Sequence, residues 1–325
     1  MRIAIVICGN LRTFLMPTRE NDKLRLCDSF VKNIVSNNNA DVFAYTDTND
    51  FYFDNTQYFG TERKIEILNN DTSRLHNNID FINNNAARNI IFEQVKLSIG
   101  DNLMYLTVED PFDATTDAKF QQLKNIGATG NNPILLLQQV RKMKLAYEQL
   151  KKYEDENNFK YDIILKWRFD NEINGLLNLK EYDYIENDIY VPGVHSPIIY
   201  DWFAHGNRNA MDFYLSLYDF IGNFLNEGRV YACDHCDFCG DINQHVSSHQ
   251  KTLFEITLSV EYHLFRVLKI NNIKLSNTKY SSGPYRYRNE YGIHIDSIMK
   301  NLNIDATVVS YCPGIDINMK QYKKI

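Results

Sequence analysis

Residues 161–172 read YDIILKWRFDNE, an apolar strand pattern that runs straight into charge. Ile163, Ile164 and Leu165 supply the β-branched and aliphatic centre of an interior strand, with Tyr161 and Trp167 adding aromatic bulk at its ends. The character then changes to Arg168, Asp170, Asn171 and Glu172. If the strand continues, its alternation projects Arg168, Asp170 and Glu172 to one side. Ligands of open α/β sheets sit just outside the carboxyl ends of the strands. An acid pair there, Asp170 and Glu172, with Arg168 beside it, suits a bound cation and the phosphates it bridges. The plain alternative is a solvated strand end closed by an ion pair.

Composition bounds the rest. A chain of 325 residues can bury a sizeable core, and 44% hydrophobic content with 21 Tyr and 19 Phe is globular and rich in aromatic rings. Thirty-five basic residues against 41 acidic ones give a formal charge of −6, with a pI near 5.8. A chain so charged has no basic stripe to release counterions from a phosphate backbone, so nucleic acid is excluded as a general partner. No apolar run approaches the ~18 residues needed to span a bilayer. Residues 3–8 open directly as a strand, with no long apolar leader before them, so a cytoplasmic protein with reduced cysteines is expected.

Outward from the central stretch, the elements alternate. RIAIVIC at 2–8 is the opening strand, ended by Gly9-Asn10, and Arg12 follows closely. A helix is expected from Pro17 through Val35, and a second strand over 41–46, DVFAYT, ends near Thr46 and Asp47. Further strands are expected at 64–68 and 95–99. Residues 133–157 carry the strongest helix signal, with Leu136, Val140, Met143, Tyr147 and Leu150 on one stripe. Strands then follow at 188–192 and at 198–205, the latter with Asp201 in its middle. Helices are expected over 207–226 and 252–270, and a late strand over 307–311. The alternation implies an α/β fold with a mostly parallel central sheet flanked by helices. With no internal repeat and no Pro/Ser-rich linker, a single domain over 1–325 is the simpler reading.

Taken in order, four pieces resemble a known family. IAIVICGNLRTF followed by DVFAYT, then YDIILKWRFDNEI, DWFAHGNRNAM and VEYHLFRVLKINNIKL, look like glycosyltransferases of bacterial surface-polysaccharide loci and giant viruses. The central piece is similar to a family pattern of Tyr-Asp, an apolar strand and Arg-x-Arg-x-Asp, with Lys166 in place of the first arginine. The resemblance implies the GT-A nucleotide-sugar transferase fold, which is Rossmann-like, and a role in polysaccharide biosynthesis. It also implies a nucleotide-sugar donor with a glycan, lipid or protein hydroxyl as acceptor. In a virus the site of action would be the host cytoplasm.

That chemistry accounts for the residue types. Negative charge grows on the donor diphosphate as the glycosidic bond breaks, so a site needs a divalent cation, arginines or both. GT-A enzymes usually hold Mn²⁺ or Mg²⁺ with an Asp-x-Asp motif at a strand end. Two registers offer a DxD-like motif here. In one, Asp170-Asn171-Glu172 supplies two metal-binding acids. In the other, Arg168-Phe169-Asp170 supplies a single acid and a guanidinium that meets phosphate itself. Gly9, Asn10, Arg12, Thr46 and Asp47 would line the nucleotide pocket, with turn chemistry as the alternative. An inverting reaction needs a base for the acceptor hydroxyl, and Asp201 and Glu261 are the candidates. Asp201 ranks first, because a carboxylate in an apolar strand is costly unless used.

A second motif stands apart. CDHCDFCGDINQHVSSH over 233–249 packs Cys and His densely, and Cys236, Cys239, His245 and His249 form a plausible tetrahedral Zn²⁺ set. Such zinc would be a structural staple rather than the catalytic ion. Two other readings accompany the transferase: a zinc-containing binding module on a degenerate transferase fold, and another nucleotide-using α/β transferase. The first strand is followed by neither a P-loop nor G-x-G-x-x-G, which disfavours kinase-type and dinucleotide-binding readings.

Overall fold

The computed structural model describes residues 1–9, 11, 14, 25–47, 84–110, 112–125, 132–173, 175–185, 187–195, 198–226, 260–280 and 282–284. In chain order, β1 (Ile3–Cys8) precedes α1 (Leu26–Phe30), which continues as a π-helical turn, and β2 (Asp41–Asp47) follows. Helix α2 (Asn84–Ile99) precedes β3 (Leu103–Glu109), and α3 (Ala118–Asn125) precedes the long α4 (Asn132–Glu156). Next come β4 (Ile163–Trp167), β5 (Asn171–Ile173), β6 (Asp188–Val191), β7 (Val194–His195), β8 (Ile198–Ile199) and β9 (Phe203–Asn207). Helices α5 (Arg208–Leu215), α6 (Leu217–Asn226) and α7 (Val260–Ile270) lead to β10 (Lys274–Asn277) and β11 (Ser282–Pro284).

Seven strands form one sheet in the order β10-β6-β9-β4-β1-β2-β3. Pairing is parallel except on the two sides of β9, which runs against both β4 and β6. The sequence expectation of an α/β fold with a mostly parallel sheet holds. Its two faces are covered, as a parallel sheet requires. Alternation along β1 sends Ala4, Val6 and Cys8 to one core, where α4 packs through Leu136, Val140, Met143 and Tyr147. Ile3, Ile5 and Ile7 enter the other, with Phe30, Ile34 and Val35 beside the first helix and Ile91, Val95 and Ile99 of α2.

Several local expectations change. Residues 95–99 are helix, not strand, because Ile91, Val95 and Ile99 recur every four residues and bury as one helical stripe. The third sheet strand is β3 instead. The expected strand over 198–205 breaks into β8 and β9, and Asp201 lies in the break. The helix over 207–226 is interrupted at Ser216. The expectations at 64–68, 233–249 and 307–311 lie outside the described residues, so the Zn²⁺ set of Cys236, Cys239, His245 and His249 does too.

The long helix is tied to the central strand at its far end. Asn158 takes a left-handed φ of 54° just beyond α4 and lets the chain turn back. Glu154, fully buried in the last turn, accepts from Arg208 Nε at 3.1 Å and from the Tyr161 backbone N–H at 3.0 Å. The α4 terminus, the entry to β4 and the start of α5 are thereby held by one carboxylate.

Candidate functional site

The carboxyl ends of β1, β2 and β4 lie side by side, and charge collects there. Strand β1 ends at Cys8, and Gly9 follows with a φ of +120° that an L side chain rarely adopts. Among the described residues, a Cβ on Gly9 would meet no atom within 4 Å. Strand β2 ends with Thr46 and Asp47, both fully buried. Strand β4 ends at Trp167, and the chain then turns, with the Asn171 backbone N–H donating to the Arg168 carbonyl at 3.2 Å.

The reversed strand completes the edge. Phe203 of β9 pairs with Trp167 of β4, so β9 begins where β4 ends. Asp201, two residues ahead of β9, is therefore delivered to the same place. Its carboxylate lies 3.6 Å from Arg168 Nη1 and 3.7 Å from Lys166 Nζ. Lys166 Nζ also donates to the Asp201 carbonyl, and Gln139 of α4 donates to its carboxylate. Arg168 closes on Asp170 with two parallel bonds of 2.9 Å, Nε to Oδ1 and Nη2 to Oδ2. Lys142 of α4 stands 2.5 Å from Asp47.

Three cations, Lys142, Lys166 and Arg168, thus face three acids, Asp47, Asp170 and Asp201. Burial opposes the charge on Arg168, and Asp170 and Asp201, with Glu261 further off, outweigh it and raise its pKa. Glu261, in the first turn of α7, belongs electrostatically to this cluster. The Cys8 thiol lies in the field of the same three cations, yet burial pushes its pKa up. Several buried polar atoms of this region make no hydrogen bond among the described residues. They are Asp201 Oδ1, Thr46 Oγ1, the Tyr214 hydroxyl, and both amide atoms of Asn171.

The expected residues therefore divide. Gly9, Thr46, Asp47, Arg168, Asp170, Asp201 and Glu261 occupy one end of the sheet, although Thr46 follows the opposite side of β2 from Asp47. Asn10 and Arg12 lie outside the described residues. Glu172 separates from the pair expected for it. The strand does not continue past Trp167; the turn intervenes, and Glu172 sits in β5, paired with Gly283 of β11. Asp170 and Glu172 thus do not project from one strand face.

The acid pair expected to hold Mn²⁺ or Mg²⁺, Asp170 and Glu172, is not presented from one strand face. The Arg168 fork occupies one lone pair on each Asp170 oxygen, and the neighbouring acids are already faced by Lys142, Lys166 and Arg168. Among the described residues, no group of three or more His, Cys, Asp or Glu side chains is arranged to hold a metal ion.

Gln139 and Lys142 escaped the sequence reading. Their signal was two polar residues at i, i+3 beside the apolar stripe of α4, and a lysine within the apolar run of β4 was the parallel signal for Lys166. Comparison of the chain with family models, curated proteins and solved structures finds no match.

Proposed function

We propose that this chain is a glycosyltransferase that moves a sugar from a nucleotide-sugar donor to a hydroxyl of a glycan, lipid or protein, on a GT-A-like fold. One observation carries the reading: Arg168, Asp170 and Asp201 converge at the carboxyl edge of β4, beside the Gly9 turn at the end of β1. Ligands of α/β sheets occupy this edge. A leaving nucleoside diphosphate needs positive charge in a site with little water, and the half-buried Arg168 provides it. The opposite partner is a carboxylate able to take the proton of the attacking hydroxyl, and Asp201, 3.6 Å from Arg168, is the first candidate, with Glu261 as the other. Gly9, Thr46 and Asp47 then border the nucleotide.

The closed Arg168–Asp170 fork favours one second reading, a binding module on a degenerate transferase fold. A panel of UDP- and GDP-sugars, with and without Mn²⁺, separates the two. A transferase hydrolyses or transfers from at least one donor and melts higher with the matching nucleotide diphosphate. The absence of both hydrolysis and a thermal shift with every donor would overturn the proposal.

A further inference from the structure

We infer that Arg168 stands where a divalent cation would otherwise stand, and that the chain binds the donor's diphosphate without metal. The inference rests on the transferase reading and specifies how that site meets its substrate.

A guanidinium has two forked edges. Asp170 occupies the Nε/Nη2 edge through its two 2.9 Å bonds. The end-on edge, Nη1 with the second Nη2 hydrogen, makes no hydrogen bond among the described residues. Its nearest acid is Asp201, whose Oδ1 is 3.6 Å from Nη1, too far for a hydrogen bond. Asp170 therefore aims Arg168 and leaves a planar pair of donors, the shape that matches two oxygens of a phosphate.

The surroundings support a ligand on that edge. Arg168 keeps 18% of its side chain exposed, whereas Lys142 and Lys166 keep 2% each. Only the arginine of the three can touch a donor, and the two lysines act from behind as fixed charge. At the neighbouring strand end, no atom of the described residues lies within 4 Å of a Cβ placed on Gly9. The buried Asn171 amide, one residue beyond Asp170, has a donor and an acceptor that nothing answers among the described residues. Unanswered buried polar groups are costly in an empty site and useful in an occupied one. A dication placed against the end-on edge would be repelled by the guanidinium, while a phosphate oxygen there meets its open donors.

Asp170 is then a positioning residue rather than a metal ligand. Binding of pyrophosphate, UDP and GDP by the full chain, measured calorimetrically in EDTA and again with Mn²⁺ or Mg²⁺, tests this. We expect binding in EDTA that added metal changes by less than about threefold. Arg168→Lys keeps the charge, and so the fold, but loses the planar fork, and should weaken binding about ten- to a hundredfold. Asp170→Asn keeps a side chain beside Nε and should weaken metal-free binding only several-fold. Binding that requires metal and vanishes in Asp170→Asn would overturn the inference and leave the transferase standing. Metal-free binding untouched by Arg168→Lys would also overturn it. No binding under either condition would overturn both.

Discussion

The Lys142 ammonium of α4 stands 2.5 Å from the Asp47 carboxylate at the end of β2, with 2% and 0% of the two side chains exposed. The long helix is thus pinned over the sheet by an ion pair inside the core, beside the candidate site. Such a pair is expensive to break from one side, because the surviving charge stays buried. Lys142→Met should therefore lower unfolding free energy by about 3–5 kcal/mol in urea titrations, and adding Asp47→Leu should restore most of it. A single-variant loss below about 1 kcal/mol would show that water replaces the ammonium and that the site is wetter than described.

The placement of Asp201 depends on close packing of the reversed strand. A Cβ on Gly206 would lie 2.7 Å from the Asp188 carbonyl oxygen and 3.1 Å from Ile189 Cγ1. The first neighbour is backbone and cannot swing aside. Gly206→Ala is expected to cost about 1–3 kcal/mol by forcing β9 away from β6. Urea midpoints check the stability, and a drop in donor turnover larger than the stability loss explains would register the displacement of Asp201. Unchanged stability would mean that the two strands part freely.

His205 of β9 is fully buried, with Nδ1 2.8 Å from the Tyr184 hydroxyl and its ring stacked on Tyr190. Burial pushes its pKa down from 6.5 to about 3. As pH falls the unfolded chain takes the proton first, so this contribution is intact above about pH 6.5 and is lost towards pH 3. The slope is at most about 1.4 kcal/mol per pH unit across that window. Unfolding titrations from pH 7 to 4 should show it in the parent and not in His205→Gln. An identical acid slope in both proteins would refute the assignment.

On the transferase reading, Asp201→Asn should slow turnover by about two to three decades, the scale of a lost general base. Glu261→Gln, altering a half-buried acid on α7, should stay within a few-fold. The reverse ranking would move the base to Glu261 and leave Asp201 as an anchor for Arg168 and Lys166.

The Cys/His-dense stretch gives a separate test. Protein stripped of loosely held ions should retain near-stoichiometric zinc by elemental analysis, and Cys236→Ser should lower stability by several kcal/mol. Metal-free protein that melts unchanged would remove zinc from the description of residues 233–249.

The sequence by itself determined the elements whose signals are local. The buried β1, β2 and β4, the long stripe of α4, and the neighbourhood of Arg168 and Asp170 were legible because strand and helix periods are written over a few consecutive residues. Residues 95–99 misled because five residues of mixed pattern do not separate a strand from one turn of a buried helix, and only the longer Ile91, Val95, Ile99 repeat does. Tertiary structure alone decided the site. That Asp201 meets Arg168 follows from β9 running antiparallel beside β4, a pairing between segments 35 residues apart for Lys166 and Asp201. That Asp47 meets Lys142 follows from where α4 crosses β2. That Glu172 leaves Asp170 follows from the turn after Trp167. Charges buried at a strand end are set by what the fold packs against them, and spacing along the chain does not encode that packing.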